Sequence, residues 1–459
     1  MSSSASTPSS DRMSRSELSV AGWLALVFGF RMLGLFLVLP VFSLYAKTLP
    51  GGDNIMWAGI AMGAFALTQA VLQVPFGFAS DRWGRKPVIV VGLLLYALGS
   101  VMAAYAPDVA WLTAARCLQG AGAISAAVTA LAADLTREEH RTKTMAIIGV
   151  SIGVVFAVSL VAAPALYSWI GMHGMFLLIA ALALGAIAVV ALAVPRAPRV
   201  PVSAPDARLR DVLFDTQLLR LDFGIFSKHL MQMAMFLVVP RLLVEQQHIP
   251  VEHHWMLYLP VVFGGFVLAA PAIMQAERRT RMKPVFMGSI GIIALSQLGL
   301  LLAYDHFVVL VAMLFLFFVA FNFLEASMPS LVSRMAPPHA KGLALGAFNT
   351  SQALGAGLGA AAGGMLALHF GPQGVFGASL ALSLLWALWA KSMVVPSLSA
   401  RREYHIAPHL DLAEVQKQIA RLPGVREVVL EPQRRIAVLK VNPERWDETR
   451  LRTLIGGEV

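Results

Sequence analysis

The chain contains few charged residues and almost no cysteine. Only 14% of its 459 residues are charged, whereas a soluble domain carries about 25%. Its single cysteine, Cys117, has no partner for a disulfide framework or a paired-cysteine metal site. The sequence also lacks a nucleophile set, a metal-ligand cluster and a phosphate-binding glycine loop. We therefore expect no cofactor, no enzyme activity and no ATP-driven step.

Apolar residues make up most of the composition. They make up 58% of the chain, and the mean hydropathy is +0.70. Because about 20 apolar residues cross a membrane as a helix, we predict twelve spans and an all-α membrane protein surrounded by a lipid bilayer. Gly59 and Gly63 follow the small-xxx-small pattern of closely packed membrane helices. The expected spans are residues 19–46, 56–79, 87–106, 109–134, 143–170, 173–194, 219–245, 255–276, 285–304, 307–335, 342–370 and 373–396.

The basic residues account for the net charge of +10. They lie mainly in short loops between apolar segments, so they indicate membrane orientation and no nucleic-acid partner. Residues 1–17 are expected to form a disordered N-terminal tail. Residues 195–218 combine four prolines with four arginines and are expected to form a linker. The distribution of basic residues places both termini and the linker in the cytoplasm.

The two parts of the chain on either side of this linker resemble each other. Residues 36–40 (Phe-Leu-Val-Leu-Pro) correspond to residues 236–240 (Phe-Leu-Val-Val-Pro), and a Lys-Pro pair opens both the third and the ninth apolar segment. This repeat predicts two bundles of six helices in parallel orientation. The bundles are expected over residues 18–194 and 219–396.

The loop after the second apolar segment carries a dense group of charges. Residues 77–87 read Gly-Phe-Ala-Ser-Asp-Arg-Trp-Gly-Arg-Lys-Pro, and such charges must lie at an aqueous face because they are costly in lipid. The pattern resembles the signature loop of the major facilitator superfamily, G-x-x-x-D-[RK]-x-G-[RK]-[RK]. The matching residues are Gly77, Asp81, Arg82, Gly84, Arg85 and Lys86.

A second motif supports this resemblance. Arg116, Gln119 and Gly120 form an R-x-x-Q-G sequence early in the fourth apolar segment. The resemblance implies a secondary transporter that works by alternating access. The soluble tail after residue 396 resembles that of one member of the family, a transporter of the bacterial inner (cytoplasmic) membrane.

The resemblance also implies a conformational latch between the two halves. In this latch Asp81 meets the positive end of a helix near Gly342. Arg85 bridges Asp81 and Asp134, the residue that ends the fourth apolar segment. Closing this latch would hold the outward-facing state.

Several polar and ionisable residues lie within the apolar segments, where they are functional candidates because lipid exposure is costly. Glu325 either carries a proton or forms a structural salt bridge with Arg31 or Lys228. His229 either takes part in transport or donates a structural hydrogen bond. The predicted proton and substrate pathway contains Arg31, Arg116, Gln119, Lys228, His229, Asn322 and Glu325.

Residues 402–459 are charged and alternate in hydropathy, unlike the rest of the chain. Their expected order, βαββα, resembles a small α+β ferredoxin-like domain without its last strand. No Cys-x-x-Cys follows the first strand, so we expect no metal there. We expect a soluble module that associates with itself or with the linker. The expected elements are strand 402–407, helix 412–422, strands 425–431 and 434–441, and helix 446–455.

Three functions remain open at this point. The first is proton-coupled efflux of small amphipathic molecules, and the second is proton-coupled uptake of an anionic metabolite held by Arg31 or Lys228. The third is a membrane sensor or scaffold that uses its C-terminal domain without transport. The direction stays open because residues 161–167 lack the glycine-rich run of drug antiporters, and Arg31 stands where many proton-linked exporters carry an acid.

Overall fold

A computed structural model describes most of the chain, and helices form most of the described residues before Met393. The described residues are 13–137, 140–195, 213–278, 281–336, 341–394, 400–407, 410–431, 436–441 and 448–455. The helices are α1 (Arg15–Val38), α2 (Phe42–Thr48), α3 (Ile55–Trp83), α4 (Arg85–Ala104), α5 (Val109–Ala121), α6 (Ser125–Asp134), α7 (Arg141–Leu192), α8 (Thr216–Glu245), α9 (His254–Arg278), α10 (Met282–Ala303), α11 (Phe307–Met335) and α12 (Lys341–Ala390). Within these described ranges, nine helical stretches are long and apolar enough to cross a membrane.

The first helix begins inside the segment expected to be disordered. The Ser14 hydroxyl accepts a hydrogen bond from the backbone N–H of Glu17 (3.2 Å), and the Glu17 carboxylate accepts one from the backbone N–H of Ser14 (2.9 Å). This capping box satisfies two N–H groups that a helix start leaves without partners. The helix therefore begins at Arg15, three residues before the expected start of the first bundle. Residues 1–12 of the expected tail lie outside the described residues.

The second half begins in the same way. The Asp215 carboxylate accepts hydrogen bonds from the backbone N–H groups of Gln217 (2.8 Å) and Leu218 (2.9 Å), so α8 begins at Thr216, slightly before the expected end of the linker. Residues 196–212, the greater part of the expected linker, lie outside the described residues.

Two apolar segments expected as single helices are interrupted. The segment 19–46 is divided between α1 and α2 by residues 39–41, which include Pro40, although α8 continues through the corresponding Pro240. The segment 109–134 is divided into α5 and α6 by residues 122–124. Conversely, α7 and α12 each run through two expected spans. Each contains one non-helical glycine between those spans, Gly171 (φ 65°) and Gly371 (φ 64°) respectively.

The two halves of the helical unit meet where α3 packs against α12. A Cβ atom at Gly59 would lie 2.3 Å from the carbonyl oxygen of Ala360, and one at Gly63 would lie 2.3 Å from that of Gly357. No side chain fits such distances, so glycine is required at both positions. The close packing expected from the spacing of these glycines is therefore confirmed.

This contact lies towards the end of α3 that is remote from the charged loop, which we call the far end. Two polar contacts join the halves near it. Lys47, at the end of α2, pairs with Glu245, at the end of α8, with 2.5 Å between Nζ and Oε1. The Arg241 guanidinium donates two hydrogen bonds to the backbone carbonyl of Ser43 (3.0 and 3.3 Å).

The C-terminal segment contains strands and two short helices. Strand β3 lies between β1 and β2 and is antiparallel to both, with a bulge in the β2–β3 pairing. The two helices cover this sheet with apolar residues that include Val415, Ile419, Leu451 and Ile455. The observed order matches the βαββα order expected from the sequence. The elements are β1 (Ala400–His405), α13 (Leu412–Ala420), β2 (Val425–Glu431), β3 (Ile436–Val441) and α14 (Glu448–Ile455).

The chain divides into two compact units. The larger runs from the start of α1 to Ile273 and from Phe286 to Met393. The smaller combines Met274–Val285, which includes the end of α9 and the start of α10, with the chain from Val394 onward.

Candidate functional site

The charged loop between α3 and α4 forms an ion cluster centred on Arg85. Gly84 (φ 98°) ends α3 and precedes α4, so the loop is a single tight turn. The Arg85 guanidinium pairs with Asp81, donates to Asp134 Oδ2 from Nε (3.0 Å) and donates to the Ser80 hydroxyl (2.7 Å). The structure therefore brings together Asp81, Arg85 and Asp134, the three charges of the expected latch.

The other residues of the loop support this turn or face outward. The Gly77 carbonyl accepts a hydrogen bond from the Ser80 hydroxyl (2.7 Å), and Lys86 Nζ donates to the carbonyl of Val194 at the end of α7 (2.7 Å). Arg82 is exposed. The expected contact of Asp81 near Gly342 falls on a residue whose surroundings lie outside the described part of the chain.

A second ion cluster, not expected from the sequence, links the start of α1 to the segment after α6. The Arg137 guanidinium donates to both carboxylate oxygens of Glu17 at 3.0 Å, and His140 Nδ1 lies 3.2 Å from Glu17 Oε2. Glu17 and His140 are buried. The capping box Ser14-x-x-Glu17 was the only local signal of this arrangement, because it places the Glu17 carboxylate at a helix start.

Two arginines are buried among the helices of the first half. Arg31 on α1 and Arg116 on α5 are each only 1% exposed. Arg31 donates to the Ser125 hydroxyl (3.2 Å) and to Oε1 of Gln69 (2.9 Å). Arg116 donates to Oε1 of Gln119 (2.7 Å). These partners are all neutral.

Aromatic rings surround the two guanidinium groups. The Phe65 ring centroid lies 5.9 Å from the Arg31 guanidinium carbon and 4.8 Å from that of Arg116. Tyr96 also faces Arg31 (5.9 Å), and Phe42 faces Arg116 (5.6 Å). These are cation–π distances, so the rings supply part of the stabilisation that water supplies at the surface.

The second half contains a buried charge cluster that involves Lys228, His229, Glu325 and Gln352. Lys228 on α8 is paired with Glu325 on α11. The Gln352 side chain on α12 donates to Glu325 Oε1 (3.4 Å) and lies 2.8 Å from His229 Nε2. His229 Nε2 lies 3.7 Å from Glu325 Oε2. Of the two partners left open for Glu325, Arg31 and Lys228, the structure selects Lys228.

The environments of the two partners in this ion pair differ. The Lys228 side chain is 0% exposed, whereas the Glu325 side chain is 42% exposed. His229 Nδ1 donates to the carbonyl of Ile225 (3.1 Å), so its Nε2 accepts the hydrogen bond from Gln352. The carboxylate is therefore the more accessible member of the ion pair.

Phenylalanine rings connect this cluster to the first half. Lys228 Nζ lies 4.0 Å from the centroid of the Phe321 ring, and the His229 ring meets the same ring edge to face at 5.6 Å. Phe321 stacks on Phe156 of α7, with 6.4 Å between centroids. Phe156 belongs to the first half, so one aromatic contact joins the charge cluster to the opposite bundle.

An apolar cavity adjoins these rings. Phe317 and Phe318 line it, and both pack against Phe321 at 5.8 and 6.1 Å. The lining also includes Gln232 and Tyr258, and the buried Tyr258 hydroxyl has no hydrogen-bond partner among the described residues. The cavity thus combines a mainly apolar wall with two polar groups, next to buried charge.

Two further residues of the predicted proton and substrate pathway are Asn322 and Gln119. Asn322 is buried, and a Cβ atom at Gly265 of α9 would lie 3.0 Å from its Nδ2. Gln119 bridges Arg116 to the Ser100 hydroxyl (2.8 Å). Conversely, the sequence reasoning missed Gln352. The polar run Asn-Thr-Ser-Gln at residues 349–352, inside an apolar segment, was the signal that pointed to it.

The chain thus has long apolar helices, ion pairs buried among them and two halves that meet. This combination is typical of a multi-pass membrane transporter. The family model of the Major Facilitator Superfamily matches residues 24–282 and 221–430. The chain belongs to this family, as its loop motif suggested.

Relatives and solved structures agree with this assignment. The inner membrane transport protein YajR of Escherichia coli (strain K12) is 38% identical over 436 residues, which cover 94% of this chain and 96% of YajR. The multidrug resistance protein MdtH of Photorhabdus laumondii is 28% identical over 354 residues, which cover 73% of this chain and 83% of MdtH. A bacterial homolog of the human lysosomal transporter Spinster, solved in an inward-facing and occupied conformation, matches with a TM-score of 0.68 at 14% identity. That match covers 83% of this chain and 98% of the homolog, and it shows the fold alone.

Proposed function

We propose that this protein is a proton-coupled secondary transporter that exports small amphipathic molecules by alternating access. The observation that carries the proposal is the ion pair between the fully buried Lys228 and the partly exposed Glu325. Such a pair responds to a proton, because protonation of Glu325 leaves the Lys228 ammonium buried without its counter-ion.

The size of this response supports a conformational switch. An uncompensated buried charge costs about 3–5 kcal/mol. Reversing a hundred-to-one conformational preference takes about 5.5 kcal/mol, so one proton on Glu325 supplies most of the required free energy. The affected group touches the other half of the protein through Phe321 and Phe156. The proton is thus linked to the contact between the bundles.

The depth of the Lys228–Glu325 pair along its helices also suits proton coupling. Lys228 lies about 18 Å along α8 from its start at Thr216, and Glu325 lies about 15 Å from the end of α11 at Met335. Both distances are near half the thickness of the roughly 30 Å hydrocarbon core. A proton held there is reached from either side in turn as the two halves rock.

The composition of the cavity wall beside the pair, and not its small volume of about 20 Å³, supports an amphipathic substrate. Its phenylalanine and leucine walls suit an apolar body, while Gln232 and Tyr258 supply polar contacts. Export is supported by the similarity to MdtH, which is described as a multidrug resistance protein. The second candidate, proton-coupled uptake of an anionic metabolite, is favoured by the buried Arg31 and Arg116.

The membrane arrangement forms part of the proposal. The two long helices, α7 and α12, each contain enough residues for two spans, and α9 adds one more to the nine helical stretches. This gives twelve spans in two bundles of six. The basic loops favour a bacterial inner membrane with both termini cytoplasmic. In this arrangement the Asp81–Arg85–Asp134 cluster belongs to a cytoplasmic latch.

The C-terminal segment is proposed to be a ferredoxin-like module without its last strand. The support is its sheet, in which β3 lies between β1 and β2 and is antiparallel to both. This is the pairing of a split β-α-β unit. We propose that the module regulates or dimerises the transporter and does not contact the substrate.

Transport by proteoliposomes under an imposed pH gradient tests the function. The assay compares the wild type with Glu325→Gln, and Glu252→Gln serves as control because Glu252 is an exposed acid elsewhere in the second half. A panel of aromatic amines, carboxylates and neutral amides reports whether flux is outward or inward. We expect Glu325→Gln to abolish gradient-driven accumulation while substrate exchange without a gradient continues. Full accumulation by this variant would exclude Glu325 as the coupling group, and no flux of any compound by the wild type would favour the sensor or scaffold.

A further inference from the structure

We infer that Arg31 and Arg116 bind the anionic group of the transported molecule, which makes the substrate an amphipathic organic anion. This inference rests on the proposed transport function and specifies its substrate. It concerns the first half of the protein, whereas the proton-coupling cluster lies in the second.

The charge balance of the first half carries the argument. Arg31 and Arg116 are each 1% exposed, and their hydrogen-bond partners are the neutral Gln69, Ser125 and Gln119. Within the described ranges, no carboxylate forms a salt bridge with either guanidinium. Two formal positive charges thus lie inside apolar helices without a counter-ion, which is unfavourable unless an anion joins them.

Two other buried or partly buried cations in this protein have acidic partners. Lys228 has Glu325, and Arg85 has Asp81 and Asp134. A third, Arg241, donates two hydrogen bonds to the backbone carbonyl of Ser43. The pair Arg31 and Arg116 has neither an acidic partner nor a full set of hydrogen bonds within the described residues, which is the condition that a bound anion would satisfy.

The guanidinium groups also retain unused donors. The Nε atoms of Arg31 and Arg116 are buried and have no hydrogen-bond partner among the described residues. Each guanidinium carries five N–H donors in a planar fork, and this geometry matches the two oxygens of a carboxylate, sulfonate or phosphate. Neutral amide and hydroxyl partners occupy only part of that fork.

The two arginines share one aromatic neighbour. Both guanidinium carbons lie near the Phe65 ring, at 5.9 and 4.8 Å from its centroid, so they are no farther apart than the sum of these distances. Gln69 and Ser125, which contact Arg31, are partly exposed. An anion that displaces these two side chains reaches the guanidinium directly, and the surrounding rings suit an aromatic or apolar body.

Binding to the purified full-length protein in nanodiscs, without a pH gradient, tests this inference. The probes are benzoate, 1-naphthoate and 1-pyrenebutyrate, each compared by calorimetry with its neutral amide. We expect at least one carboxylate to bind about tenfold more tightly than its amide, because charge-assisted hydrogen bonds are roughly twice as strong as neutral ones. Empty nanodiscs give the background for partitioning into lipid.

Variants assign the preference to the arginines. Arg31→Gln and Arg116→Gln should each reduce the carboxylate preference to about twofold or less while amide affinity is unchanged. Arg15→Gln, which removes an exposed charge from the same helix as Arg31, should retain the wild-type preference. Arg31→Lys keeps the charge and should keep part of the preference, which provides a test if Arg31→Gln does not yield monodisperse protein.

Two outcomes would overturn the inference. One is that no carboxylate binds more tightly than its amide, and the other is that folded Arg31→Gln and Arg116→Gln keep the full preference. Neither outcome bears on proton coupling, because binding is measured without a gradient. Conversely, a failed transport assay with an intact carboxylate preference would refute the transport function and leave the anion site in place.

Discussion

Removing one member of the Lys228–Glu325 pair should destabilise the protein by an amount that depends on which member is removed. Glu325→Gln leaves an ammonium group on a side chain that is 0% exposed. Lys228→Met leaves a carboxylate on a side chain that is 42% exposed, where water or Gln352 can still solvate it. The first change should therefore cost more stability than the second.

The structure sets the approximate size of each effect. An uncompensated charge at a fully buried site costs about 3–5 kcal/mol, and we expect the lower end for Glu325→Gln because the pair borders accessible space. For Lys228→Met, solvent screening of the exposed carboxylate reduces the ionic part to about 1 kcal/mol or less. Loss of the cation–π contact with Phe321, at 4.0 Å, adds about 1 kcal/mol.

The double variant Glu325→Gln with Lys228→Met completes a thermodynamic cycle. It contains no unpaired charge and lacks only the ion pair and the cation–π contact, so its loss should fall to about 1 kcal/mol, which corresponds to a coupling free energy of about 3 kcal/mol. The free energies of unfolding are measured by denaturant titration of the four proteins in mixed micelles. If Lys228→Met were the more damaging single change, or if the two losses simply added, the pair would not be the compensated buried charge described here.

Two further predictions concern the loop and the tail. Asp81→Asn should reduce transport about tenfold with normal membrane insertion, because loss of the Asp81–Arg85 ion pair weakens the latch by about 1 kcal/mol or more; normal flux in vesicles containing matched amounts of protein would contradict the latch. The segment 402–459 expressed alone should fold and give a circular dichroism spectrum of mixed strand and helix, since its sheet and helices share one apolar core. Its sedimentation profile reports self-association, and an unfolded chain at all concentrations would refute an independent module.

The parts of the fold that were predicted correctly depend on local sequence signals. The contact of Arg85 with Asp81 and Asp134 is an exception, because it was implied by the resemblance of the loop to a family motif. The tail elements follow from alternating apolar residues and turn residues, and β2 is observed over the expected residues. The start of α1 at Arg15 was missed because the serine-rich composition of the tail outweighed the capping box formed by Ser14 and Glu17.

The parts of the site that were not predicted depend on packing between distant segments. The sequence left two partners open for Glu325, because nothing local distinguishes Lys228 from Arg31 when each lies far away along the chain. The choice is made by the packing of α8 against α11 and α12. Gln352 was missed for the same reason, since its role exists only where three helices bring it beside Glu325 and His229.

The glycine contact between α3 and α12 affects how readily the far end opens and closes during transport. At Gly59 and Gly63 the two halves touch through backbone atoms, with no side chain of these residues in between. Joining such surfaces requires no rotamer to be ordered at these positions, so closing the far end carries little of the conformational entropy cost that long side chains impose. Parting them again breaks dispersion contacts that are individually weak. We therefore expect the glycine contact to add little to the barrier for opening the far end, so that the nearby Lys47–Glu245 ion pair contributes more to it.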